Sequence, residues 1–197
     1  MKKILVVMFI SCLLTNPARA SEFSIKANYF ILNPADYNAK IQEVSVGDVY
    51  GAVVGGGIGI GKTLNDSWQL DIGISGNYQK KDAIKEDTGG EQTVYGYNMM
   101  VLGYGDLGLS LKIKILKGLT LHVGAGPCLV MAYMESANET DKQHSITPMF
   151  GGKVQAGLKK MLGKWFIKVS GAYRYVLKSG DLDVSGAEAG IELGKEF

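Results

Sequence analysis

Apolar and polar residues alternate with a period of two along most of the chain, which is the pattern of β-strands with one polar and one apolar face. In the segment 68–78 one face carries Leu70, Ile72 and Ile74. The opposite face carries polar side chains: Gln69, Asp71, Ser75 and Asn77. The same alternation, bounded by turn-forming residues, predicts eight strands: 23–32, 51–62, 68–78, one within 94–115, 119–134, 147–160, 165–177 and a last one toward Phe197.

Four aromatic residues are spaced as two girdles would require. Trp68 and Tyr78 lie ten residues apart on one face, and Trp165 and Tyr175 repeat that spacing later in the chain. Ten residues at about 3.3 Å each, in a strand tilted by about 40°, span roughly 25 Å of height, which matches the apolar band of a membrane barrel. We therefore predict an all-β fold, an eight-stranded antiparallel transmembrane β-barrel. A soluble sandwich would present its polar face outward instead.

Long and short connections alternate between the predicted strands. The long ones cover residues 33–50, 79–92, 135–145 and 178–183, and the short ones cover 63–67, 117–118 and 161–164. This alternation is typical of bacterial outer-membrane barrels, in which long loops face outward and short turns face the periplasm. We expect both tryptophans at the periplasmic girdle. Pro127 interrupts a predicted strand, and since proline removes a ladder donor we expect a bulge there.

Residues 1–20 have the features of a secretory signal peptide. Lys2 and Lys3 precede an apolar run over residues 4–14, and Ala18-Arg19-Ala20 offers a small-x-small cleavage site. The run is shorter than the roughly 20 residues that a transmembrane helix needs. We therefore predict export to the bacterial envelope, a cleaved signal peptide and a single barrel domain over residues 21–197.

Charge and cysteine content bear on nucleic-acid binding and on disulfide bonding, respectively. Without residues 1–20 the chain loses three of its 21 Lys and Arg residues and keeps all 19 Asp and Glu residues, which leaves a net charge of −1. The chain without residues 1–20 has no excess of basic residues, so its charge does not indicate a nucleic-acid partner. Of the two cysteines only Cys128 remains, so the mature chain cannot form an internal disulfide.

Charged residues fall on the face that the alternation assigns to the lumen. The candidate lumen charges are Lys26, Asp71, Lys112, Lys168, Arg174, Glu188 and Glu192, together with Asp106, Lys114 and Lys153. The interior of an eight-stranded barrel is just wide enough for side chains to fill, so charges there must be paired or solvated. Two interpretations stay open, an ion-pair and water plug, or a narrow polar pore or ligand cavity.

Two further features of the sequence are candidates for chemistry, a glycine-rich segment and the histidines. The P-loop pattern is matched by Gly56-Gly57-Ile58-Gly59-Ile60-Gly61-Lys62-Thr63. A P-loop needs a helix that begins at its Lys-Thr end, whereas a turn and a predicted strand follow here. We therefore predict that this segment does not bind a nucleotide. We expect its glycines to point inward and to make room for side chains of neighbouring strands. His122 and His144 are the only imidazoles, and neither has the sequence context of a catalytic base or a metal site.

Several segments resemble the small outer-membrane β-barrel superfamily that includes OmpA, OmpX and OmpW. They are Lys26-Ala27-Asn28-Tyr29-Phe30-Ile31-Leu32-Asn33-Pro34-Ala35-Asp36, Val49-Tyr50-Gly51, His122-Val123-Gly124-Ala125-Gly126 and Gly190-Ile191-Glu192-Leu193-Gly194-Lys195-Glu196-Phe197. The resemblance implies that the barrel-assembly machinery recognises Phe197. It also implies outer-membrane lipid as the surrounding medium.

The function that we expect is a structural or surface-interaction role in the outer membrane, without catalysis, cofactor or metal. The long connections would then meet a surface partner that the sequence does not identify. The alternative, which the resemblance to OmpW allows, is a narrow passive channel or a binder for small polar or amphipathic solutes. Lumen volume separates the two: inward glycines on the second strand favour space, and the long inward Lys, Arg and Glu side chains oppose it.

Overall fold

The structure is a computed structural model, and it describes residues 21–32, 52–80, 84–88, 91–95, 97–136, 144–177, 179 and 184–197. The predicted signal peptide and the connection over residues 33–50 lie outside this part of the chain. The strands are β1 Ser21–Leu32, β2 Ala52–Thr63, β3 Trp68–Lys80, β4 Ile84–Thr88, β5 Glu91–Tyr95, β6 Tyr97–Leu116, β7 Leu119–Ser136, β8 His144–Leu162, β9 Trp165–Val176 and β10 Gly186–Glu196.

Eight of these strands close into one antiparallel barrel in the order β1-β10-β9-β8-β7-β6-β3-β2. The first and last strands pair directly, with Ala27 opposite Ile191, so no edge strand is left in the barrel. This closure confirms the predicted eight-stranded antiparallel β-barrel. Within the described ranges, no helix has the length and apolar character needed to cross a membrane.

The strand register gives the barrel a shear of ten. A path from partner to partner around the wall runs from Ser21 through Lys62, Leu70, Leu109, Ala125, Val154, Tyr173 and Ala187 and returns to the first strand at Ile31. Ile31 lies ten residues beyond the starting point. For eight strands this stagger sets a strong tilt, so side chains that share a level in the interior lie far apart in sequence.

Three strands are longer than the others, and two of them pass their predicted ends by two or three residues: β7 ends at Ser136 and not at 134, and β8 covers His144–Leu162 and not 147–160. β6, β7 and β8 contain 20, 18 and 19 residues, whereas β1, β2 and β9 contain 12 each. The predicted loop over residues 79–92 is wrong in part, because β3 continues to Lys80 and the small hairpin β4-β5 follows. The predicted loop over 135–145 likewise gives way to β7 and β8 at its ends. Backbone pairing continues there without the apolar alternation that reveals a strand in a sequence.

Pro127 does not form the predicted bulge. On the β8 side it pairs with Gly152. On the β6 side the ladder skips the pairs around Pro127, yet Asp106 pairs with Cys128 and Leu109 with Ala125, so the register is the same before and after the gap. Each strand residue directs its N–H to one neighbour. A proline can therefore cost one ladder bond without adding a residue.

The outer surface is apolar, and the aromatic residues of the predicted girdles lie on it. Trp68, Tyr78, Trp165 and Tyr175 are between 40% and 62% exposed. Trp68 and Trp165 each begin a strand directly after a short turn. Gly118 has a φ of 72°, a left-handed conformation that glycine adopts without strain and that permits the tight β6–β7 turn.

Candidate functional site in the barrel interior

The seven predicted lumen charges all occupy inward positions. Lys168, Arg174 and Glu188 are buried, and each alternates with exposed neighbours along its strand. The other four, which are Lys26, Asp71, Lys112 and Glu192, are half-buried on the same face. Asp106, Lys153 and three residues described below point inward as well. Among the residues that the structure describes, these twelve comprise six cationic side chains and six carboxylates, and Lys114 lies exposed at the rim. The strand alternation positions these groups, but the register decides which of them meet.

Five charged residues from five strands of the barrel form what we call the central cluster: Lys26, Asp106, Lys153, Arg174 and Glu188. The Arg174 guanidinium lies 2.8 Å from Asp106 and 2.8 Å from Glu188. Lys153 Nζ is 3.0 Å from Asp106, and Lys26 forms an ion pair with Glu188. Each carboxylate thus contacts two cations, which is how a charge taken out of water is compensated.

Aromatic rings pack against the central cluster on one side. The Arg174 guanidinium carbon lies 4.1 Å from the centroid of the Tyr104 ring, a cation–π contact. The Phe30 ring packs against Tyr104 at 5.7 Å between centroids. Arg174 is fully buried between its carboxylates and this ring, so its position is determined by both charge and packing.

A second group, which we call the turn-side cluster, lies near the short turns: Glu22, Lys159 and Glu196. Lys159 forms ion pairs with Glu22 and, at 2.6 Å, with Glu196, and its ammonium lies 4.2 Å from the Phe166 ring centroid. These three residues were not among the predicted lumen charges. Glu22 lies one residue before the predicted start of its strand, and Glu196 is the last residue of β10. Lys159 lies inside its predicted strand on the same face as Lys153, so the alternation alone already places it inward.

The remaining lumen charges have local partners near the same end. Gln69 donates to Asp71 at 2.8 Å, and Ser110 donates to the same carboxylate. Lys168 lies 3.4 Å from Glu192 on the neighbouring strand. Lys112 donates to the hydroxyl of Thr63 at 3.3 Å. Each of these lumen charges therefore has a polar or charged partner within the interior.

The half of the interior toward the long connections is largely apolar, with Asn77 and Ser185 as buried polar side chains among the apolar ones. We call it the apolar layer, and it consists of Phe30, Leu32, Val53, Met100, Leu102, Tyr104, Cys128, Val130, Ala132, Met134, Met149, Val176 and Val184, each at most 5% exposed. A lumen that is polar throughout, as the sequence suggested, is wrong in this half. The alternation in the sequence distinguishes the two faces of a strand, but an inward position can hold either a polar or an apolar side chain.

A cavity of about 80 Å³ remains in the polar half. Its lining includes inward glycines of β2, among them Gly57, Gly59 and Gly61, and charged groups of both clusters. Polar side chains of adjacent strands lie directly over these glycines, Ser24 over Gly59 and Gln69 over Gly61. The glycines thus accommodate neighbouring side chains and leave room for only a few water-sized molecules.

The remaining motifs do not form a reactive site within the described residues. Residues 56–63, which match the P-loop pattern, lie inside β2, and a turn followed by β3 comes next. His122 is buried on β7, and its Nδ1 makes no hydrogen bond to any described protein atom. His144 begins β8 at the opposite end of the barrel, since it pairs with Glu135. No group of three potential metal ligands occurs in this part of the chain.

No family model matches the chain, and no curated protein matches it either. Solved structures do resemble it. Neisserial surface protein A shares 12% identity at a TM-score of 0.63, with 90% of this chain and 99% of that chain covered. The outer membrane protein OprG from Pseudomonas aeruginosa shares 12% at 0.63, covering 91% and 97%. Ail, the attachment invasion locus protein of Yersinia pestis, shares 14% at 0.56, covering 91% and 99%. This chain therefore has the fold of the small eight-stranded outer-membrane β-barrels.

Proposed function

We propose that this chain is a bacterial outer-membrane barrel with a structural or surface-interaction role, without catalysis, and that its interior does not conduct solutes. The apolar layer carries this proposal. Phe30, Leu102 and Val130, on three different strands, are each 0% exposed in the half toward the long connections. A polar solute would have to displace these side chains and then break the ion pairs of the central cluster.

The outer surface supports the location in the membrane. Large apolar side chains such as Ile25, Ile74 and Val154 are more than half exposed, which is costly in water and favourable in lipid. The short turns face the periplasm in barrels of this fold, so the long connections would face outward. Outer-membrane lipid is then the surrounding partner. The exposed terminal Phe197 would be available to the barrel-assembly machinery.

The surface role would reside at the end with the long connections. A rigid, filled barrel is a platform that holds such segments in place, and a fold by itself does not determine an activity. The similar barrel Ail is an attachment invasion locus protein, so this architecture is compatible with contact to another surface. The three long strands β6, β7 and β8 would carry that contact away from the membrane.

Conductance in a planar bilayer tests the proposal. The barrel is refolded without residues 1–20, and its folded state is checked by the heat-dependent shift in gel mobility that membrane barrels show. We expect no discrete openings from the folded protein. Reproducible single-channel steps would contradict the closed interior and support the alternative, a passive conduit with the inward charges as its lining.

A further inference from the structure

The rim at the short-turn end has an uneven charge distribution on its outer surface. The charged side chains on the outer surface near the turn-side end of β9 are lysines. They are Lys160 on β8, Lys164 in the β8–β9 turn and Lys195 on β10. With Trp165 and Phe197 we call them the lysine rim. The two acidic residues at this end of β10, Glu192 and Glu196, point inward and are paired with Lys168 and Lys159.

Lys195 is held by aromatic rings and not by a carboxylate. Its ammonium lies 5.7 Å from the Trp165 ring centroid and 5.2 Å from that of Phe197. Its strand position is directly opposite Trp165. Within the described residues, Lys160, Lys164 and Lys195 form no ion pair with a carboxylate. The Lys195 ammonium is therefore oriented by two aromatic rings and not by an ion pair with a side-chain carboxylate of the described residues.

The backbone keeps these groups together. The N–H of Glu196 donates to the carbonyl of Lys164 at 2.8 Å, which ties the end of β10 to the β8–β9 turn. Lys160 lies opposite Ile167 on the other side of β9. Lys195 lies opposite Trp165, two residues away from Ile167 along β9. With strands about 4.8 Å apart and a rise of about 3.3 Å per residue, the Cα atoms of Lys160 and Lys195 are separated by roughly 12 Å. That span suits a single phosphodiester headgroup reached by flexible lysine side chains.

We propose that the lysine rim is a binding site for an anionic glycerophospholipid of the surrounding membrane. The headgroup phosphate would lie between the ammonium groups, and the acyl chains would follow the apolar outer wall beside Trp165. Tryptophan belongs at the headgroup level of a bilayer, and a lysine can extend its charge to that level while its alkyl stem stays in apolar surroundings. The inference rests on the proposed membrane location, and its test separates the two.

Tryptophan fluorescence can report this site directly, because the chain has only two tryptophans. In a Trp68→Phe background, Trp165 is the sole reporter. The barrel is placed in nanodiscs of phosphatidylcholine and phosphatidylglycerol in which one lipid or the other carries bromine, at equal mole fraction. A lysine at an anionic surface favours charged lipid by roughly fivefold, so we expect brominated phosphatidylglycerol to be enriched about fivefold or more at Trp165.

A pair of variants with equal charge loss provides the control. Lys160→Gln with Lys195→Gln should bring the enrichment at Trp165 close to one, while Lys62→Gln with Lys114→Gln, elsewhere on the same rim, should leave it unchanged. Equal loss in both pairs would overturn the site in favour of general charge attraction. Equal quenching by both brominated lipids in the parent protein would overturn the site but leave the membrane location intact. No quenching by either lipid would overturn both.

Discussion

Arg174 and Glu188 form an ion pair across the adjacent strands β9 and β10, with Nη2 and Oε2 2.8 Å apart and both side chains at most 1% exposed. The same guanidinium reaches Asp106 on β6, which stands opposite β10 in the barrel wall. Arginine suits this task because its planar, permanently charged head can lie between two carboxylates, and here Asp106 accepts hydrogen bonds from it while Glu188 contributes the ion pair. One side chain therefore connects opposite walls of the interior.

Replacing Arg174 by alanine should destabilise the barrel strongly. The change leaves Asp106 and Glu188 buried with Lys153 and Lys26 as their remaining partners, and breaking a buried ion pair from one side costs about 3–5 kcal/mol. Urea unfolding in lipid vesicles, followed by tryptophan fluorescence, measures the free energy of unfolding. Arg174→Lys keeps the charge and should cost less. An unchanged unfolding midpoint for the alanine variant would count against the cluster as a stabilising element.

Lys159 and Glu22 should be energetically coupled. Lys159→Met leaves Glu22 beside Glu196 with no cation between them, so the free energy of unfolding should fall. Adding Glu22→Gln removes one of the two carboxylates and should restore part of the loss. A double-mutant cycle for residues in direct contact gives a coupling energy of about 0.5–3 kcal/mol. Strict additivity of the two single changes would mean that the pair is not formed.

Gly194 should not tolerate alanine. A Cβ at this inward position would overlap the Phe166 ring and approach the carbonyl oxygen of Phe23. Overpacking of this kind costs about 1–3 kcal/mol, which the shift in urea midpoint would report. The matched control is Gly171→Ala on the outer face, where the nearest atom to an added Cβ is 3.9 Å away. Equal effects of the two substitutions would contradict the packing account.

Polar substitutions in the apolar layer should open the interior. Phe30→Ser, Leu102→Ser and Val130→Ser together shorten three side chains that meet above the central cluster, and they allow water to enter. We expect discrete conductance from this variant and none from the parent protein. Leu102→Ser alone serves as the better-folded comparison, and gel mobility checks folding of both. Silence from a folded triple variant would mean that the ion pairs close the barrel without the apolar layer.

Much of the wall could be predicted from the sequence because period-two alternation follows from backbone geometry alone. It located the strand that carries Trp68 and the one that carries Arg174, and it assigned their faces. Strand ends were less accurate. Lys159 was placed in a strand but its partner Glu196 was not considered, and β7 and β8 continue into regions where neither face is apolar enough to mark a strand.

The sequence alone determined the strand pattern, the apolar outer surface and the set of charged residues that point inward, since each depends only on neighbours along the chain. Only the tertiary structure decided how the interior is filled. The shear of ten brings Arg174 to Asp106 and Glu188, and it stacks the inward apolar residues of six strands above them. Because the register is a property of paired strands, no local pattern could have shown that Phe30, Leu102 and Val130 occupy the same layer.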